Sequence, residues 1–285
     1  MATMTLEQAL KELEQDRSLF APDQLRRRVE ALDRLETWLI HAPDLADDQA
    51  AARHRRIEAM ATDLEAVNRA LYQSLRQDIR QGRGAEALSG WSRELVGQEV
   101  RGEGYDCLDA LVSGVLQLDE PDANSADLAS EMVFYQPTPA RHIFDFIHRA
   151  RLTERDVLLD MGSGLGHVSL ISAICTPARC VGVELEDAYV ASASKSADAL
   201  NIRHVAFVRA DARSVDFSSA TVFYLYTPFT GSVLRHVLDS LKREAATRDI
   251  RVCTLGPCTP MAGAEPWLDA DGDRREDRVV IFRSL

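Results

Sequence analysis

Apolar residues recur every three or four positions from Thr5 to about Gly82: Leu6, Leu10 and Leu13, then Leu25, Val29, Leu32, Leu35 and Leu39, then Ile57, Met60, Leu64, Val67, Leu71 and Leu75. That spacing puts each set on one face of a helix, so the pattern predicts three amphipathic helices. "APDQL" and "HAPDL" supply proline near helix starts, and "QGRG" supplies glycines that stop the third. Helical spacing continues more weakly through "AEALSGWSRELVG" and "YDCLDALVSGVLQL". The stretch "DEPDANSADLAS" then breaks it with a loop composition, which places a boundary near Pro121.

Beyond that boundary the pattern changes. Short β-rich runs at 156–160, 180–184, 205–209, 222–226, 250–254 and 278–282 alternate with helical runs. Parallel strands need a connecting element at each crossover, so the alternation predicts a doubly wound α/β domain with helices on both faces of the sheet. The expected organisation is a helical region over 1–120, serving as a lid, a dimerisation contact or a substrate cover, and an α/β domain over 121–285. A homodimer through the helical region is one arrangement this leaves open.

Composition narrows the class. The chain of 285 residues is 46% hydrophobic, enough for a buried core, and its formal net charge of −12 argues against a general nucleic-acid binder. "RRR" at Arg26 to Arg28 and "RHRR" at Arg53 to Arg56 lie in helix-period segments with acids and read as solvated faces. No apolar run reaches the ~18 residues of a membrane span, and the charged start lacks the apolar centre of a secretory signal. Five cysteines without paired spacing fit reduced thiols. These features lead us to expect a cytoplasmic protein with no membrane partner. The seven histidines form no Cys/His cluster, and no metal is expected.

The chemistry starts at "VLLDMGSGLGHVSLI", where Gly162, Gly164 and Gly166 follow the first strand. In a doubly wound sheet this turn faces the ligand crevice, and glycines let a ligand lie against bare backbone. The next strand ends in Glu184, 24 residues after Asp160 (184 − 160), close to the ~20 at which an acid meets ribose hydroxyls. The third strand ends in Asp211, where a carboxylate followed by the Ala212 N–H suits the amino group and ring nitrogen of adenine. Three acids thus end three consecutive strands.

This ensemble, with the acid of "D-x-G-x-G-x-G" ahead of the first glycine, resembles the class I S-adenosylmethionine-dependent methyltransferase superfamily rather than the dinucleotide dehydrogenases. A pyrophosphate would be repelled by that acid, whereas the ammonium of the methionine arm would be attracted. The resemblance covers about Val133 to Leu285. It implies a seven-stranded Rossmann-like sheet whose last strand, from "DRVVIFRSL", runs antiparallel. It also implies S-adenosylmethionine as cosubstrate or sole substrate, with Asp160, Gly162 and Gly164 near the methionyl part, Gly166 also among the cofactor-binding residues, Glu184 on the ribose, and Asp211 with Ala212 on adenine. "MVFYQPTPARHIFDFI" would fold over the methionine end, with Tyr135, Gln136 and Thr138 as its polar candidates.

The loop after the fourth strand, "VFYLYTPFTG", differs from the "N-P-P-Y" type used on planar amino groups, since Thr227 stands in place of Asn or Asp. That argues against adenine or glutamine amide methylation. Tyr135, Tyr226 and Thr227 are left as candidates at the reactive centre, with Phe229 near them and no His or carboxylate base in evidence. Aromatic faces attract a sulfonium by cation–π interaction. "GPC" at Gly256 to Cys258 follows the fifth strand and reads as a turn with a buried thiol. The leading expectation is methyl transfer to a small molecule. Two alternatives stand beside it: cyclisation of S-adenosylmethionine to azetidine-2-carboxylate with release of methylthioadenosine, and protein lysine methylation, since the helical N-terminus ahead of "GSGLGHV" and "VGVE" resembles the histone-lysine methyltransferases that lack a SET domain. A non-catalytic binding module is the contrasting class.

Overall fold

The computed structural model describes residues 5–40, 48–95, 97, 99–102, 104–119 and 135–285. The expected boundary near Pro121 lies outside the described residues, as do Met132 to Phe134 of the expected cover. By its contacts the chain divides into two units, 1–75 and 76–285.

In the first unit, α1 (Leu6–Gln15) opens on a capping box: the Thr5 hydroxyl accepts from Gln8 N at 3.3 Å while the Gln8 side chain accepts from Thr5 N at 3.0 Å. A 3-10 turn follows, then α2 (Leu25–Ile40) and α3 (Asp48–Arg80). Leu10, Leu19, Ala31, Leu35, Ile57, Met60 and Leu64 form the core between these helices, on the faces that the helical period predicts. Arg28 departs from its expected place on a solvated face. It is fully buried, and its guanidinium donates to Asn68 Oδ1 (2.6 Å) and to the carbonyls of Leu19 (3.0 Å), Ala21 and Pro22 (3.1 Å). Arg56 behaves as expected of an exposed helix face, bridging Glu7 and Glu14 at 2.6 and 2.7 Å.

The second unit carries α4 (Gly84–Ser92) and α5 (Cys107–Leu116), which the sequence pattern groups with the helical region. α5 buries Leu108, Leu111, Val112, Val115 and Leu116, and the Leu116 carbonyl accepts from Ser196 Oγ at 2.8 Å. Then come α6 (Ala140–Ala150), β1 (Val157–Met161), α7 (His167–Cys175), β2 (Arg179–Glu184), α8 (Asp187–Ala199), β3 (Val205–Arg209), β4 (Val222–Tyr226), α9 (Gly231–Ala245), β5 (Arg251–Leu255), α10 (Thr259–Gly263), β6 (Leu268–Ala270) and β7 (Val280–Ser284). The seven strands lie in the order β3-β2-β1-β4-β5-β7-β6. β1 to β5 are parallel, and β7 runs antiparallel to both β5 and β6. The expected doubly wound seven-stranded sheet with an antiparallel last strand is therefore present. β6, three residues long, is the strand the sequence pattern does not reveal.

The chain winds outward from β1 to β3 and then returns to lay β4 on the other side of β1. Helices leaving β1 and β4 diverge at that reversal, which opens a crevice at the strands' carboxyl ends. Phe223, Leu225, Val252, Phe282, Leu234, Val237, Leu238 and Leu241 pack one side of the sheet, so the strand tips stand on a rigid base.

Candidate functional site

The register of the sheet sets the site. Asp160 lies opposite Gly182 of β2 and Tyr224 of β4, one residue before β1 ends. Beyond β1 the chain turns back under Val183, whose carbonyl accepts from both Gly162 N (2.8 Å) and Ser163 N (2.9 Å). Gly162 and Gly164 have φ of +72° and +52°, a region that L side chains rarely adopt. A Cβ on Gly162 would strike the Pro228 ring, and one on Gly164 would strike the ring of Tyr135. The glycine turn is thus approached by Pro228 on one side and Tyr135 on the other.

Asp160 is buried, and its carboxylate accepts from Ser169 Oγ at 2.9 Å. Burial pushes its pKa up to about 7, although the Ser169 hydroxyl works in the opposite direction. Beside it the Tyr224 hydroxyl is buried with no hydrogen-bond partner among the described residues; buried Thr138 is a polar neighbour. The turn's own Ser163 hydroxyl is likewise buried and unpartnered among them.

At the tip of β2 the Glu184 carboxylate is fixed by backbone. Oε2 accepts from Gly164 N at 2.8 Å, and Oε1 accepts from Leu185 N (2.7 Å) and Glu186 N (3.0 Å). A carboxylate offers about four acceptor positions, so roughly one is left, on Oε2. Glu184 therefore both orders the glycine turn and presents a charged acceptor next to it. Asp211, after β3, is gripped by Arg213: Oδ1 accepts from Arg213 N (2.9 Å) and Nε (3.0 Å), and Oδ2 from Nη2 (2.6 Å). These bonds hold its pKa down at about 2. Ala212 opens the short 3-10 turn that Asp211 caps, the place in a helix where a backbone N–H is left over.

Of the expected cover, Tyr135 lies across the glycine turn, Gln136 is exposed and Thr138 is buried. The Tyr135 ring meets Tyr189 of α8 with centroids 5.1 Å apart, and its hydroxyl lies 3.1 Å from His167 Nδ1. His167 is the site residue that sequence reasoning missed, although it directly follows the third glycine as the first residue of α7. Burial lowers its pKa to about 4, so the ring is neutral and Nδ1 can accept from the tyrosine.

At the tip of β4, half-buried Tyr226 stands near Gly256, while Thr227 adopts φ +37° and is buried. The Thr227 hydroxyl donates to Leu255 O and accepts from Cys258 N, both at 3.1 Å. It holds the tips of β4 and β5 together. Phe229 is buried in the hydrophobic core that also holds Leu234 and Leu238. Cys258 is a buried thiol directed at the carbonyls of Leu225 and Leu255, and burial raises its pKa. Among the described residues no group of three or more His, Cys, Asp or Glu could hold a metal.

A family model described as "Histone methylation protein DOT1" matches residues 126–224 of the chain. The seven-stranded doubly wound sheet with its antiparallel last strand is the fold that the resemblance to the class I S-adenosylmethionine-dependent methyltransferases implies. The match takes in the glycine turn, Glu184 and Asp211, ends at Tyr224 within β4, and leaves out Tyr226, Thr227 and β5 to β7. Methyltransferases also occur among the solved structures it resembles. One is an RNA methyltransferase from Salinibacter ruber in complex with S-adenosyl-L-homocysteine, at 26% identity over 52% of this chain and 92% of that one, with a TM-score of 0.43. Another is precorrin-6y C5,15-methyltransferase from Geobacter metallireducens, at 17% identity over 57% and 95% with a TM-score of 0.40. A third is TrmN from Thermus thermophilus, at 19% identity over 50% of this chain with a TM-score of 0.40; this chain covers 48% of TrmN. No curated protein matches the chain in sequence. Among the described residues no helix is long and apolar enough to cross a membrane.

Proposed function

We propose that the protein binds S-adenosylmethionine across the carboxyl ends of β1, β2 and β3 and transfers its methyl group to a small-molecule nucleophile. The observation that carries this reading is the Glu184 carboxylate, locked by three backbone N–H groups beside the glycine turn and keeping one acceptor position for a ribose hydroxyl. Asp160 suits the ammonium of the methionine arm, and Tyr135 covers that arm. In the transfer the acceptor's lone pair forms the bond to the methyl carbon while the carbon–sulfur pair returns to sulfur, which leaves S-adenosylhomocysteine. Positioning supplies most of what such a displacement needs, because the sulfonium is already a good leaving group. With the Thr227 hydroxyl engaged by backbone, the acceptor is best supplied as a nucleophile that needs no base from β4. Cysteines held as thiols suit a cytoplasmic setting for this chemistry.

The DOT1 match favours a second reading in which the acceptor is a lysine side chain of a protein. Both readings are tested together by incubating the protein with donor alone, then with the small-molecule fraction and the protein fraction of a cell extract, and following products by mass spectrometry. S-adenosylhomocysteine formed only with the small-molecule fraction supports the first reading, and methylated lysine with the protein fraction supports the second. Methylthioadenosine from donor alone, above spontaneous decay, would replace both by cyclisation. Absence of any heat with S-adenosylmethionine or S-adenosylhomocysteine in calorimetry would remove all three.

A further inference from the structure

Residues ahead of α5 and in its first turn converge on the cover. Gly102 N donates to Asp277 O at 2.9 Å, and Gly102 O accepts from Arg141 Nη2 at 2.8 Å and lies 2.7 Å from His142 Nε2. A carbonyl only accepts, so the His142 proton sits on Nε2. Tyr105 leaves half of its surface in solvent, yet its hydroxyl donates to Pro137 O at 2.9 Å. Asp109 serves two helices at once. Oδ2 accepts from Asp106 N (2.6 Å) within α5's own cap, and Oδ1 accepts from Ala140 N (2.7 Å), the first N–H of α6. Pro139, at the N-cap of α6, offers no capping side chain, so Asp109 supplies from another helix what the local sequence lacks.

The contacts of Gly102 O, the Tyr105 hydroxyl and Asp109 Oδ1 land on residues 137–142, which follow Tyr135 in the chain. The cover is thus held from two sides: its crevice face by Gly164 and His167, and its back by Tyr105 and Asp109. The other end of this brace rests on Asp277, next to Glu276, whose carbonyl accepts from Gly256 N at the tip of β5 (2.9 Å).

We propose that Tyr105 and Asp109 are positioning residues for the amino-acid arm of the donor. The inference rests on the donor reading above. Neither side chain need touch the donor. They fix the backbone of 137–140 so that Tyr135 and Thr138 are in place before the ligand arrives, which removes an ordering cost from binding.

The test is calorimetry on the full chain with S-adenosylhomocysteine and with 5′-methylthioadenosine, which lacks the amino-acid arm. Tyr105→Phe keeps the ring and removes only the hydroxyl. It should raise the Kd for S-adenosylhomocysteine about threefold to tenfold, the loss of one hydrogen bond. The Kd for methylthioadenosine and the melting temperature should stay unchanged. Asp109→Asn, which replaces one of two acceptors by a donor and so loosens the starts of both helices, should show the same ligand selectivity together with a lower melting temperature. Unchanged S-adenosylhomocysteine affinity in Tyr105→Phe, or equal weakening of both ligands, overturns the brace while leaving the donor reading intact. Failure of the unaltered protein to bind either ligand overturns the donor reading, and the brace with it.

Discussion

Two buried polar groups, one in each unit, are treated in opposite ways. In the helical unit, Arg28 sits in the apolar interior with four of its N–H groups on Asn68 and three carbonyls. A buried charge is tolerable when it is surrounded by acceptors, and here it pins the turn before α2 to α3. In the sheet unit, buried Asp160 has one side-chain hydroxyl partner, and the hydroxyls of Tyr224 and Ser163 beside it have none among the described residues. A buried group whose every nitrogen finds a partner inside the fold has the task of specifying that fold. Hydrogen-bonding capacity that the fold leaves unused marks the place where something from outside is expected.

Substitutions at the two kinds of position should therefore separate stability from binding. The largest effect is expected of Arg28→Ala, which strands four acceptors and opens a cavity. Chemical denaturation should show a loss on the order of 3–5 kcal/mol, and a loss under about 1 kcal/mol would mean that the buried guanidinium contributes little. Gly164→Val should act on binding instead, because a β-branched side chain suits neither φ +52° nor the contact with Tyr135. Calorimetry should show S-adenosylhomocysteine affinity lower by at least about a hundredfold, roughly 3 kcal/mol, with the circular dichroism spectrum retained.

Asp160→Asn should separate the two by pH. Asp160 titrates near 7 in the folded protein because of burial, whereas in the unfolded chain it ionises near pH 4. Between those values the folded state holds a proton that the unfolded chain has lost, so its contribution to stability is full below about pH 4 and falls as pH rises through about 7. The variant should melt close to the unaltered protein at pH 5 and above it at pH 8. Donor affinity should run the other way in the unaltered protein, tightening from pH 6 to pH 8 as the carboxylate ionises toward a cationic ligand, and stay flat in the variant. The smallest effect belongs to Tyr224→Phe, which removes an unpartnered hydroxyl. It should leave stability unchanged or raised by up to about 1 kcal/mol in thermal denaturation, and a clear loss would reveal a partner for that hydroxyl.

Much of the fold is legible in the sequence because two periodicities carry it. Six of the strands appear within two residues of where apolar runs put them, and the glycine turn, Glu184 and Asp211 stand at the tips that their spacing implies. β6 escapes because three residues are too few to show alternation. Arg28 hides in a basic run whose other members face solvent, yet 25, 28, 31 and 35 form one helical stripe, and that spacing was the available signal. His167 could have been found as the residue that opens the helix after the third glycine. The roles of Thr227 and Arg213 could not. They depend on carbonyls, amides and carboxylates brought together by the tertiary fold, which no local pattern encodes.

The grip of Arg213 on Asp211 has a consequence for which bases could be accepted. Under the donor reading, a purine reaching this carboxylate has to outcompete a resident guanidinium, so the ligand-free protein carries its own rival for the position. An adenine ring brings N–H donors that can take over from the arginine. A hypoxanthine ring turns a keto oxygen toward the acid and gains nothing by the exchange. Discrimination would then come from the threshold that a guest must exceed, even in a shallow and half-open recess.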